Sequence, residues 1–229
     1  MSATNAINNA LIVTAHPVDN SLSHSLAARI AGKLREQGTQ VEIADLHAEG
    51  FNPAMTRADL DLYHGDPSAL PDDILREQQR VERADMLVFV FPVYWWSVPA
   101  LLKGWFDRVL TLNWAYKVAD DGRIVGSLRD VPVRLIATGG SDLTGFDKHG
   151  YSTAIQTQII EGVFGFCGLK NVTSTVCESV ASDTRNICPG RFFIFTTAAD
   201  ATRAMMVMCS PSGGSFSASS LPADAYRCG

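Results

Sequence analysis

Charge is scarce in this chain, and what there is runs slightly negative. Only 19% of its 229 residues are Asp, Glu, Lys or Arg, for a formal net charge of −5. That balance excludes the broad basic surface by which proteins hold nucleic acid or anionic membranes. Organised cysteine is missing too. Cys167, Cys177, Cys188, Cys209 and Cys228 form no CxxC pair and no Cys/His cluster at metal-ligand spacing, so neither a disulfide framework nor a metal site is expected. No stretch approaches the ~20 apolar residues of a membrane span, which predicts no integral membrane segment. The opening MSATNAINNALIVTAHPVDNS lacks the charged start and long apolar core of a secretory leader, and a cytoplasmic location is the expectation. Absent as well are G-x-G-x-x-G after the first strand, the P-loop G-x-x-x-x-G-K-[ST], G-x-S-x-G and H-E-x-x-H. The chemistries those spacings carry fall away with them.

What is present is a regular succession of apolar segments. With 46% hydrophobic residues, a chain of this length can bury about 70% of the surface it exposes when unfolded, enough for one domain. Residues 10–15 (ALIVTA), 41–44 (VEIA), 84–91 (ADMLVFVF), 133–138 (VRLIAT) and 172–177 (VTSTVC) read as strands. Between them, Leu22, Leu26, Ile30 and Leu34 fall four apart on one helical face. Residues 72–83 read as helix and 53–71 as an irregular excursion. Val98, Leu101, Leu102, Trp105, Phe106, Val109 and Leu110 follow helical spacing, and 152–166 is helix-like. Strands alternating with helices predict an α/β fold: a doubly wound, three-layer, five-stranded parallel sheet of order 2-1-3-4-5. In such sheets ligands lie beyond the carboxyl ends of the strands, at the switch point between strands one and three.

Three loops sit at that edge. After strand one, Asn20, Ser21 and Ser23 offer an amide, hydroxyls and free backbone N–H groups at a helix start. They read either as ordinary N-capping or as a grip on a phosphate. After strand three, Tyr94, Trp95 and Trp96 stand in a row between Pro92 and Pro99. Three neighbours cannot all face one core, so at least one lines a cavity, an interface or solvent, and a flat aromatic ligand would use such a wall. After strand four, Thr138-Gly139-Gly140-Ser141 either lets the backbone approach a ligand closely or is a plain loop. Downstream, His149 is either a surface histidine or a group exchanging protons near neutral pH.

The string 91–110, FPVYWWSVPALLKGWFDRVL, resembles the flavin-dependent NAD(P)H:quinone oxidoreductases of the DT-diaphorase type. Their pattern is a strand ending in Phe-Pro, an aromatic pair, Val-Pro-Ala, then Lys-Gly-Trp-Phe-acid-Arg-Val. Supporting matches are Ala15-His16, Phe51-Asn52-Pro53, Trp114-Ala115-Tyr116, Thr138-Gly139-Gly140-Ser141, His149-Gly150 and Phe166-Cys167-Gly168. The resemblance implies a flavodoxin-like fold and ping-pong, two-electron hydride transfer from NAD(P)H to flavin to quinone. It implies FAD, with FMN as the alternative, because Phe51-Asn52-Pro53 sits where an adenine can be accommodated. It puts the flavin phosphates against His16, Ser21, Leu22 and Ser23, and the isoalloxazine along Pro92, Val93, Tyr94, Trp95 and Trp96. The ring's polar edge would lie on Thr138, Gly139 and Gly140. Trp96, Tyr116 and His149 would bind the quinone, Tyr116 arriving from the second subunit of a homodimer with interfacial sites. His149 would handle a proton. A regulatory flavoprotein of a potassium-efflux system and a flavodoxin-like electron carrier are the alternatives within the same fold.

The chain departs from that family in two places. A tyrosine a few residues before the histidine hydrogen-bonds the flavin's charged edge in the family; here Phe146 takes its place, and Tyr151 is the candidate catalytic substitute. After 182–185 (SDTR) the family continues into a charged helix. Residues 187–229 instead contain no Lys and no Glu, yet hold three of the five Cys and three of the six Met. Arg191, Arg203 and Arg227 outnumber Asp200 and Asp224 by one, leaving −6 on everything before them. The expected division is a flavodoxin-like, flavin-binding domain over 8–186 and an atypical tail over 187–229, either a frameshifted or replaced terminus or an extension.

Overall fold

A computed structural model describes residues 6–66, 68, 70–140, 143–178, 192–197 and 205–207. Ser141, residues 182–185, Cys188, Cys209, Cys228 and most of the tail lie outside the described residues. The chain begins β1 (Asn9–Thr14), α1 (Leu22–Glu36), β2 (Gln40–Asp45), α2 (Arg57–Tyr63) and α3 (Asp72–Arg83). It continues β3 (Met86–Pro92), α4 (Ala100–Val109), a short hairpin of β4 (Tyr116–Val118) and β5 (Ile124–Gly126), and β6 (Val133–Gly139). Then come α5 (Leu143–Lys148), α6 (Tyr151–Ile155), β7 (Val172–Glu178), β8 (Phe192–Thr197) and β9 (Met205–Val207).

The five strands read from the sequence are all present and stand in the order β2-β1-β3-β6-β7, every pair parallel. Strand alternation sorts their side chains onto two faces. Leu11, Val13, Phe89, Phe91 and Leu135 pack against Leu102, Trp105 and Phe106 of α4 and against Ile159 and Phe164. Ile12, Val88 and Val90 turn the other way, against Ala27 and Ala31 of α1. The buried stripe of α1 is therefore Ser23, Ala27 and Ala31 rather than the row of four large apolar residues. Small side chains let the helix lie close on the sheet, while Leu26 and Ile30 flank the contact half-buried.

Other elements depart further from expectation. The stretch 53–71 contains α2, started by a capping box in which Thr56 and Asp59 satisfy each other's backbone N–H groups. The helix-like 152–166 is α6 running into a wider, π-helical stretch, Gln156–Gly165. The sheet itself does not stop at five strands: β8 pairs antiparallel with β7, and β9 with β8. No helix among the described residues is long and apolar enough to cross a membrane.

Candidate functional site

The three expected loops meet at the carboxyl edge of the sheet and are bonded to one another. Val93 N donates to Thr138 O at 2.8 Å, tying the loop after β3 to the end of β6. The Thr138 hydroxyl lies 3.4 Å from Phe91 O and 3.4 Å from Ser23 Oγ, which brings in the start of α1. Ser21 caps that helix, its Oγ accepting from His24 N at 3.3 Å. The N–H groups of Leu22 and Ser23 head the first turn, where a helix has no partners of its own for them, and no acidic residue stands in that turn. His16 precedes it, with Nδ1 accepting from Val18 N at 3.0 Å. Burial, with His24 and His47 nearby, holds His16 below the ordinary imidazole range.

Tyr94 to Ser97 form a tight turn rather than the start of a helix: each end donates its N–H to the other's carbonyl at 3.1 Å. Trp95 and Trp96 take φ of +50° and +64°, the left-handed conformation that such turns ordinarily give to Asn or Gly and that costs other residues about 1–2 kcal/mol each. Trp95 is 94% exposed and Trp96 39%. The Trp96 ring lies flat on Tyr151, centroids 4.0 Å apart and planes within 6°. Phe146, fully buried, meets both edge-on at 5.4 and 5.8 Å. His149 is exposed, its ring 5.7 Å from that of Tyr151. Trp96, Phe146, His149 and Tyr151 are thus one cluster. Beside it, a Cβ on Gly140 would meet nothing within 4 Å, and one on Gly139 would rest on Val176 and Phe146.

Tyr116 is not brought to this cluster within one chain. It sits on β4, its ring against Phe166 at 5.1 Å, and burial, with Tyr63 and Cys167 near, raises its phenol above the ordinary value. The β4–β5 hairpin docks through Gly126, where a Cβ would overlap the backbone of Cys167 and Gly168. Leu128 N donates to Cys167 O at 3.1 Å across the same seam. Phe166-Cys167-Gly168 is therefore a seat for the segment that carries Tyr116. Burial pushes the Cys167 and Cys177 thiols up to about 11, which leaves them protonated and unreactive.

Sequence reasoning missed His24 and Asp45, which stand directly behind Ser21. His24 Nδ1 is 2.8 Å from Ser21 Oγ and Nε2 is 2.7 Å from Asp45 Oδ2. The signal was available: His24 lies three residues after the cap, and Asp45 ends the strand next to β1.

A family model described as flavodoxin-like fold matches residues 8–187. Among relatives, an uncharacterised NAD(P)H oxidoreductase of Haemophilus influenzae is 33% identical over 165 residues, covering 72% of this chain and 80% of its own length. NAD(P)H dehydrogenase [quinone] 1 of Rattus norvegicus is 34% identical over 200 residues, covering 76% and 70%. In solved structures, an NAD(P)H:quinone oxidoreductase from Methanothermobacter marburgensis superposes with a TM-score of 0.69 at 27% identity, covering 78% of this chain and 91% of that one.

Proposed function

Because the chain belongs to the family of flavodoxin-like fold that includes the NAD(P)H dehydrogenases [quinone], we propose that it is a flavin-dependent NAD(P)H:quinone oxidoreductase. The observation that carries the reading is the joining of the α1 start, the Trp95–Trp96 turn and the Thr138–Gly140 segment at the switch point. The residues there fit a flavin. Unpartnered first-turn N–H groups without an acidic residue in that turn suit its phosphates, open space at Gly140 leaves room for a ring edge, and the exposed rings of two tryptophans held in a costly conformation offer apolar surface.

Leu22 N and Ser23 N hold the phosphates, with the side chains of Ser21, Ser23 and His16 around them. Pro92, Val93, Tyr94, Trp95 and Trp96 support the isoalloxazine. Bound there, the flavin supplies acceptance of a hydride from NAD(P)H and its delivery to a quinone in ping-pong order. Backbone N–H groups around Gly139 and Gly140 meet negative charge at the ring's polar edge. FAD is favoured over FMN on the resemblance, which puts an adenine beside Phe51-Asn52-Pro53, a segment held against α4. Arg108 donates to Asn52 O at 2.8 Å, and Gly104 of α4 leaves room for Pro53 alone.

Trp96 forms the quinone wall, and the Tyr151 ring holds Trp96 in plane. His149, exposed beside that pair, donates to a quinone oxygen the one proton needed besides the hydride, and the Tyr151 hydroxyl would hydrogen-bond the flavin's charged edge in place of the tyrosine that Phe146 replaces. Tyr116 closes the slot from a second copy of the chain, which makes the working unit a homodimer.

Half-reaction kinetics on the purified holoprotein test this. His149→Gln is expected to slow the quinone half-reaction about 100-fold, the lower range for a lost general acid, while the NAD(P)H half-reaction stays unchanged. Equal rates in both halves, or quinone radicals seen by electron paramagnetic resonance, would overturn the assignment.

A further inference from the structure

We infer that His24 is a positioning residue for the phosphate grip, deciding through its own proton whether the Ser21 hydroxyl can donate to the ligand. The inference rests on the flavin reading above. The imidazole is clamped at both nitrogens, by Asp45 Oδ2 at 2.7 Å and by Ser21 Oγ at 2.8 Å. Asp45 is an acceptor only. Partial burial alone would raise its pKa, but the N–H groups of Ala48 (3.1 Å) and His47 (3.2 Å) and the His24 ring hold the carboxyl below its usual range. A carboxylate so close to Nε2 requires that nitrogen to carry a hydrogen. Nδ1 of the neutral ring is then a bare acceptor, and the hydrogen shared with Ser21 is the serine's own. Ser21 Oγ has one hydrogen to give, and it is turned inward. A phosphate at the head of α1 then meets only lone pairs on Ser21.

A second proton on the ring reverses the arrangement. Nδ1 becomes a donor, and the two lone pairs of Ser21 Oγ are filled by Nδ1–H and by His24 N, already 3.3 Å away. The serine hydrogen is freed to point at the anion, and the ring adds a positive charge behind it. The ionisable and polar groups facing His24 are few. Thr14 Oγ1 on β1 is 3.5 Å from Nε2, Asp45 and His47 stand at the end of β2, and the His16 ring is 6.2 Å away. His16 is already satisfied at Nδ1 by Val18 N and is held toward its neutral form by burial. His24 is thus the group that couples a proton to the grip, through a bond to the very residue that caps the helix.

The test uses the full chain, stripped of flavin and titrated with FAD or with riboflavin, which lacks phosphate. Flavin fluorescence is followed from about pH 8 to about pH 5, the span in which imidazoles change charge. FAD's diphosphate has no proton to lose in that span. The expected result is an FAD Kd that falls about tenfold toward acid, as a neutral hydrogen bond gives way to charge-assisted ones, with riboflavin changing less than twofold. His24→Gln flattens the FAD profile. In the wild-type chain, calorimetry in two buffers shows net proton uptake on binding FAD and none on binding riboflavin, so the outcome does not depend on the variant folding. FAD binding tighter than riboflavin, but with no proton uptake and the same profile with and without His24, overturns the inference alone. FAD binding no tighter than riboflavin at any pH overturns the phosphate reading beneath it.

Discussion

Arg108 shows why the string 103–108 (KGWFDR) needs its residue types. Its guanidinium is enclosed: Nε donates to Asp59 at 2.9 Å, and Nη1 to Asp73 and to Asn52 O at 2.8 Å. Removing one partner of such a pair strands the other, so Arg108→Met is expected to cost about 3–5 kcal/mol in urea unfolding at pH 7. Adding Asp59→Asn, which removes the stranded charge and keeps an oxygen for the Thr56 N–H, should recover part of the loss. Burial alone would raise the Asp59 pKa, but bonds from Arg108 and Thr56 outweigh it and depress the carboxyl below its usual value. A depressed folded-state pKa contributes stability above the unfolded value near 3.8 and loses it as pH falls through the folded one. Acid unfolding of the wild type should therefore steepen below that value, and Asp59→Asn should flatten the curve. At this scale the sequence was legible where chemistry is local. Three adjacent aromatics could not all be buried, and Trp95 is almost bare. It was illegible where backbone conformation contradicts residue type: nothing in Trp-Trp announces a turn with two positive φ angles.

The elements separate by length. The parallel strands and α4 were readable because six to ten residues carry a pattern long enough to recognise. The hairpin was not, since β4 and β5 have three residues each, too few for alternation to show. The π-helical stretch 156–165 shares its composition with any helix. What fixes the hairpin is a glycine pair: a Cβ on Gly126 would strike the Gly168 backbone, and Gly168 itself takes φ of +97°. Gly126→Ala should lower stability by about 1–3 kcal/mol, the usual cost of overpacking. Because Tyr116 rides the same hairpin, the KM for quinone should rise in steady-state assays while the rate of flavin reduction by NAD(P)H holds.

At the scale of the molecule, a parallel sheet sets the site and the loops supply its chemistry. Alternation predicted a parallel sheet and the count of five strands suited the order observed, and that order told which loops converge. The grouping of Ser21, His24 and Asp45 was harder to read, because it joins the start of α1 to the end of β2, which only the folded sheet places side by side. The central claim is that nicotinamide and quinone react in turn at that edge. Anaerobic stopped-flow mixing of the holoprotein with NADPH, followed by a quinone, tests it most directly. The flavin's visible absorbance should bleach at least as fast as steady-state turnover and return fully when quinone is added. A flavin that NADPH and NADH leave oxidised, although dithionite reduces it, would contradict the account and mark the chain as an electron carrier.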